Sequence, residues 1–557
     1  MKAKEDLSSI WVNPFNGYID ITEREFIFSL KPIFLIGPRG CGKTTLFKRL
    51  SDRIVIEGDK LYYGAYVDLG KFKNCSIEDL TNTIKEIIVF RRIELRNTIL
   101  SFKEKFCEFN NYQELYFSKM LDVTMYYEKE YTDLNEFTFY EKINDELSNN
   151  FKYVFVLYLD DYDLADRKIQ SYINTIIKYI GEDSITTYRI SKRVRELKLS
   201  ETISSSEFLK YGSDYKEACF NFLKANQYSK EFYYQLANQL IEKCGIQANV
   251  KTLLGSKENF ENEANEIIRN RKWHFDKFGI SDPEEIDLLS FPNKPLIEMM
   301  NIILTKRLMK NRKIHFDIDV SRSEIQNINS ISKQYQEKIK NENTKKYHND
   351  YANKYRLSLL FILCDIYKER KSFYSFNTLM YVCSGDLNYF KNFINRICAL
   401  VKLNNINEFP VDMKHQDVIF AEISKEYCDK VQLERNEVYT LINNVGVLLR
   451  KYHIDYDIKY PETTQCFIGF NLGEEERIVF DGAYYESDFI KKSRIQNKSI
   501  GMGKGSLYVL NKVYAPHYQI SYRIRGGYNI SLTNEMFTEN FSKNHQLSIF
   551  EDLGVEE

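Results

Sequence analysis

PIFLIGPRGCGKTTLFKRL, residues 32–50, reads as a strand, a glycine loop and a helix in immediate succession. Ile33 to Ile36 is an unbroken apolar run of strand length, and Leu46 and Leu50 fall on one face of the helix that follows. Between them GPRGCGKT, residues 37–44, fits the pattern GxxxxGK[ST] with every constrained position filled. Gly37, Gly40 and Gly42 let the backbone curl so that successive N–H groups face the β- and γ-phosphates of a nucleoside triphosphate. Lys43 brings a point charge to those phosphates, for binding and for their chemistry. Thr44 offers a hydroxyl to Mg²⁺ at the positive end of a helix. Pro38, Arg39, Cys41 and Thr45 complete the cradle, Cys41 as a small residue. The stretch predicts a purine nucleotide, ATP, bound with Mg²⁺ on an α/β P-loop NTPase core.

A second stretch, YVFVLYLDDYD (153–163), is apolar throughout and ends in acids. Runs of this kind suit strands buried on both faces of a parallel sheet. An Asp closing such a strand holds the Mg²⁺ shell in P-loop enzymes, and a neighbouring carboxylate orients or deprotonates the attacking water. Asp160 is therefore the candidate metal-side acid and Asp161 the candidate catalytic acid. Glutamate is commoner at the second place. Either turnover is slow or the site accommodates the shorter reach. Asp163 reads as turn chemistry.

Outward from these two stretches, strands are expected at YYGAYVDL (62–69) and ITTYRIS (185–191). A helix is expected from Ser76, with Asp79 completing a capping box. Residues 101–150 read as a helical insertion. From about residue 215 the pattern turns mainly helical. Residues 333–356 read as a solvated helix or linker. Apolar helices follow over Leu357 to Ile366 and Leu379 to Leu400, the latter broken at Ser384-Gly385. Further helices near 415–429 and 434–451 precede Gly- and Tyr-rich, β-like sequence. The expected organisation is an ATPase core over 1–225, a helical lid over 226–404 and a C-terminal domain over 405–557.

Composition sets the outer limits. A chain of 557 residues exceeds one core. Aromatics make up 15% of it, so the cores should be packed with rings. Ten cysteines without a CxxC pair, apart from seven histidines, point to buried free thiols instead of zinc or disulfides. No apolar run approaches the ~20 residues of a membrane span, and MKAKEDLSSIWVNPF lacks the apolar stretch of a signal peptide, so the cytoplasm is the expected address. A net charge of −1 leaves any polyanion partner to a local patch.

Together these residues resemble the prokaryotic ORC/Cdc6-like AAA+ ATPases. The likeness starts at NPF (13–15), runs through the glycine loop and LYLDDYD, and continues into YINTIIKY (172–179) and GSDYKEA (212–218). SGDLNYF (384–390) is similar to the family's sensor-2 segment. LYVLNKVYAPHYQISYRIRGG (507–527) is similar to its C-terminal motif, after what looks like a winged-helix domain. The resemblance implies a parallel AAA+-like sheet with helices on both faces, a helical lid, self-association, DNA contact and a partner effector protein, in a mobile-element or anti-phage setting. Two places depart from the family pattern: Asp161 stands for a glutamate and Asn388 for the sensor-2 arginine. The resemblance also implies an arginine lent by a neighbouring subunit. Arg189, Arg193 and Arg195 are in the right region, and a charged, solvated loop accounts for them equally well.

Between Asp488 and Glu535 there is no acidic residue. The run carries Lys491, Lys492, Arg494, Lys498, Lys504, Lys512, Arg523 and Arg525, interleaved with Tyr508, Tyr514, Tyr518, Tyr522 and Tyr528. Such residues suit phosphate contacts and base stacking, and double-stranded DNA is the expected partner. A solvated basic face balanced by Glu474, Glu475 and Glu476 is the other reading. The functional expectation is an ATP-dependent, DNA-associated switch; the alternative is an ATP-binding scaffold that meets a protein trigger without DNA.

Overall fold

The strand before the glycine loop, Ile33–Ile36, is buried along its whole length and has a parallel neighbour on each side. A computed structural model describes residues 11–72, 75–101, 113–116, 152–180, 185–193, 201–204, 207–220, 227–268, 356–454, 472–492, 507–523 and 532–538. The chain divides into two compact units, Met1–Gln239 with Gly385–Asn388, and Leu240–Ser384 with Tyr389–Glu557.

In the first unit, β1 (Ile33–Ile36), β2 (Arg53–Glu57), β3 (Lys60–Asp68), β4 (Gln113–Tyr116), β5 (Lys152–Asp160), β6 (Thr186–Lys192) and β7 (Lys216–Cys219) form one sheet. Its order is β4-β2-β3-β5-β6-β1-β7. The five strands from β3 to β7 in that order pair in parallel; β2 pairs antiparallel with both β3 and β4. The expected strands at 33–36, 62–69, 153–160 and 185–191 are present. The 101–150 reading needs correction at one place: Gln113–Tyr116 is a strand, held by β2. Likewise Lys216–Cys219 is a strand, and the first described helix after it is Gln227–Lys243.

The helices described in this unit are α1 (Glu23–Phe28), α2 (Lys43–Ser51), α3 (Ile77–Ser101), α4 (Arg167–Tyr179) and α5 (Gln227–Lys243, its last four residues in the other unit), and α2 and α3 lie on opposite faces of the sheet. Alternation along β3 shows how two of them divide. Tyr66 lies under Lys48 of α2, and Phe47 of α2 packs edge-on against Tyr158, the register partner of Tyr66. Tyr63, on the opposite face, meets Arg92 of α3 and the ring of Phe155. The α3 start carries the capping box: Asp79 accepts from the Ser76 N–H at 2.8 Å, and its own N–H donates to Ser76 Oγ at 3.1 Å.

The second unit is mainly helical: α6 (Val250–Leu254), α7 (Phe260–Ile268), α8 (Arg356–Ile366), α9 (Phe376–Val382), α10 (Leu387–Leu403, its first two residues in the other unit), α11 (Met413–Glu434), α12 (Asn436–His453) and α13 (Glu474–Tyr485). Then come the antiparallel pair β8 (Phe489–Lys492) and β9 (Leu507–Leu510), and a short α14 (Ala515–Tyr518). Helix α8 is apolar all round, as a core helix must be: Leu357, Leu359, Leu360, Phe361, Ile362, Leu363 and Cys364 are fully buried. Helix α12 buries Val438, Leu441, Ile442, Val445 and Leu449, the face its sequence marks out. The break at Ser384-Gly385 is real, both residues having positive φ. Residues 333–355 lie outside the described residues. All eight described cysteines are free thiols, five of them buried.

Candidate nucleotide site

The glycine loop leaves β1 at the C-terminal edge of the parallel strands, where open α/β sheets bind ligands. Its first N–H, on Gly37, donates to the Lys192 carbonyl at the end of β6. Gly40 and Gly42 adopt φ of +83° and +96°, a conformation that side chains resist, so the curl needs glycine there. Lys43 opens α2 and is buried, its ammonium donating to the Gly37 and Pro38 carbonyls at 2.7 and 2.9 Å. Thr44 and Thr45 follow, half-buried, in the first turn of the helix; Arg39 is exposed at the loop apex. Cys41 is buried, and burial pushes its thiol pKa up.

Asp160 is the last residue of β5 and is 1% exposed. Its two carboxylate oxygens are held separately. Ser191 Oγ of β6 donates to Oδ1, and Tyr66 Oη of β3 donates to Oδ2 at 3.1 Å. Ser191 also accepts the Asp161 N–H at 3.0 Å, so one hydroxyl fixes both acids. Asp161 turns the chain in the left-handed region, φ 53°, which Asp tolerates better than most residues. Burial, then the Asp160 carboxylate, push Asp161 above the usual carboxylate range, while Arg193 pulls it back. A third acid shares this row: Asp68 is the register partner of Asp160, and burial followed by Asp160 raises it too. Asp163 accepts the Arg193 N–H and joins the exits of β5 and β6, a structural tie.

Several residues missed from sequence therefore belong to this site. Ser191 was visible only as the end of an expected strand. Tyr66 and Asp68 join Asp160 through the sheet register, which no local pattern reveals.

Of the candidate trans-acting arginines, Arg189 is ruled out by its surroundings. It is fully buried and donates to the carbonyls of Phe26, Ile27 and Ser29 at the end of α1. Burial lowers its pKa to about 10. Arg193 is half-buried at the end of the sheet, and Arg195 lies outside the described residues. At the sensor-2-like segment, the Leu387 N–H donates to the Gly40 carbonyl at 2.9 Å. Asp386 caps α10 through the Asn388 N–H, and a Cβ on Gly40 would stand 2.4 Å from its carboxylate. Asn388 itself is exposed.

The C-terminal basic run needs two corrections. Tyr508, Tyr514, Tyr518 and Tyr522 are core residues, 7%, 1%, 3% and 3% exposed, and so are not base-stacking platforms. Lys512 is buried, its ammonium spent on the Ser521 carbonyl at 3.1 Å. Alternation misled here, because hydrophobic packing claimed the tyrosines. Lys491 and Lys492 are on β8, and the Arg523 guanidinium lies over the Phe260 ring. Arg494, Lys498, Lys504, Arg525 and Tyr528 lie outside the described residues.

A glycine loop running from a parallel strand into a helix, with an acid-tipped strand one strand away across β6, defines a P-loop type of α/β core. The chain belongs to the ORC-CDC6-like family, whose model matches residues 2–54 and 75–530. Membership implies an AAA+ ATPase-type switch, and members generally bind ATP with Mg²⁺. No curated protein matches the sequence. Among the described residues, no helix is long and apolar enough to cross a membrane. Nor do three or more His, Cys, Asp or Glu among them form a cluster able to hold a metal ion unaided. Mg²⁺ takes one or two protein oxygens and completes its shell from phosphates and water. Thr44 and Asp160 are hard oxygen donors of this kind, and the glycine cradle fits a polyphosphate.

Proposed function

We propose that this protein binds ATP with Mg²⁺ on residues 37–45 and hydrolyses it slowly, as a switch that associates with DNA and recruits partner proteins. One observation carries the ATPase reading: the helix opened by Lys43 and Thr44 starts at the same end of the parallel sheet as Asp160 and Asp161, which Ser191 fixes together, and Asp161 feels the Lys43 charge. In this reading Lys43 neutralises phosphate charge, and Thr44 and Asp160 hold the metal, which would supply charge neutralisation at the phosphates. Asp161 orients a water and takes its proton, and its raised pKa suits a base. Residues 1–225 serve as the ATPase core, 226–404 as a lid and 405–557 as a winged-helix-like domain. Support for the last is the succession of α11, α12 and α13 followed by an antiparallel pair, β8 and β9. The proposed DNA contacts are Lys491, Lys492, Arg494, Lys498, Arg523 and Arg525. A cytoplasmic, self-associating protein with an effector partner, in a mobile-element or anti-phage system, is the setting the family likeness suggests.

A second reading, an ATP-binding scaffold without DNA contact, gains from the burial of the four tyrosines. ATP hydrolysis by the full chain with and without double-stranded DNA, together with DNA affinity across salt concentrations, separates the two. Stimulation and a steep salt dependence support the DNA switch; flat responses support the scaffold.

A further inference from the structure

We propose that Tyr66 is a positioning residue for the metal-side acid: its phenol hydroxyl holds the Asp160 carboxylate in the rotation that presents it to the cation. This rests on the ATP·Mg²⁺ reading above.

The register explains why this position and this residue type are needed. Asp68 pairs with Asp160 and Tyr66 with Tyr158, so Tyr66 and Asp160 share one face of the sheet, two residues out of step. That offset is about 7 Å along a strand, a span that a tyrosine ring leaning along the strand crosses and a serine or threonine cannot. The ring is held from above by the Lys48 ammonium, 5.1 Å from its centroid, on the helix that the glycine loop feeds. Tyr66 is 8% exposed, and its phenol hydroxyl lies 3.1 Å from Asp160 Oδ2 as the donor. Ser191 occupies Oδ1 and Tyr66 occupies Oδ2. With both oxygens engaged, the carboxylate cannot swing towards Asp161 or away from the loop. Nothing in the residues bordering Asp160 in sequence supplies this second donor. It comes from β3.

The test is ATP binding, read by a fluorescent ATP analogue in EDTA and across a Mg²⁺ series, for wild type, Tyr66→Phe and Tyr66→Trp. Outer partners of metal ligands cost about tenfold or more in metal affinity when removed. Tyr66→Phe should therefore raise the Mg²⁺ concentration for half-maximal tightening by about tenfold and leave affinity in EDTA unchanged. Tyr66→Trp, which also lacks the hydroxyl, should match it. Wild-type Mg²⁺ dependence in both variants overturns the inference while leaving the ATP reading intact. Equal loss in EDTA and in Mg²⁺ overturns it as well, because the hydroxyl would then serve the loop's fold. A wild-type protein that binds no nucleotide removes the ATP reading itself, and this inference with it.

Discussion

At the residue scale, the site contrasts a cation that sequence reveals with a set of donors that it hides. Lys43 is fixed by motif, and its ammonium lies on the loop's own carbonyls. Lys43→Ala removes the loop charge that the motif assigns to the phosphates, so ATP affinity should fall by at least tenfold; isothermal titration showing unchanged affinity would refute the loop assignment. Asp160 and Asp161 separate differently. Asp161→Asn keeps a residue tolerant of φ 53°, so ATP and Mg²⁺ should remain bound while hydrolysis drops by roughly a hundredfold or more. Asp160→Asn should instead raise the Mg²⁺ requirement. Normal turnover in both would mean that the acids of β5 are not the working pair. Both aspartates were legible because they sit next to each other at the end of an apolar run. Ser191, Tyr66 and Asp68 were not, because strand pairing brings them in from elsewhere in the chain.

At the element scale, long buried strands and amphipathic helices were readable, and short strands at the sheet's margins were not. RIVIEGDKLYY carries its own signal, since Gly58-Asp59 is a two-residue loop between the paired residues Glu57 and Lys60. β4 and β7, four residues each, have too little period to declare themselves. Helix α12 adds a pH response. His453 at its C-terminus accepts the Ser521 N–H at 2.8 Å, and burial, then Lys512 and Arg450, hold its pKa down at about 3. The unfolded chain takes up a proton there below pH ~6.5 and the folded chain does not. Stability should thus fall as pH drops from about 6.5 towards 3, by about 2 kcal/mol at pH 5 from this residue. Glu263 in the same unit works in the opposite sense: burial raises it to about 8, so its contribution is lost as pH rises through that value. Comparing wild type with His453→Gln isolates the histidine. Urea unfolding at pH 7.5 and 5.0 should show a smaller acid loss in the variant, and equal losses would contradict the assignment.

At the scale of the whole molecule, the fold of the first unit followed from its parallel strands, whereas the basic C-terminal run was misread in part. Charge counting treats every lysine as solvated, yet Lys512 is in the core; the tyrosines between the charges pack inward. What is left of the DNA proposal rests on charge. Removing one cation from a phosphate should lower the salt slope of binding by about one unit. Replacing Lys491, Lys492 and Arg494 by Ala should weaken DNA binding and flatten that slope, while ATP affinity stays as in wild type. Anisotropy titrations giving wild-type affinity and slope would assign this run to a solvated surface.

The tie between Gly40 and Leu387 also bears on how the protein is made. The glycine loop emerges early in synthesis, but a hydrogen bond to its backbone comes from a residue more than 340 positions later. At about 5–20 residues per second, that partner follows the loop by roughly 17–70 s. Through that interval the nascent chain carries the loop with its strand and helix, and later the acids of β5, while this backbone partner does not yet exist. Nucleotide competence should then arrive late in translation, after β7 and the first turn of α10 have left the ribosome. Stalled nascent chains released at successive lengths should gain ATP retention only once residue 388 is exposed.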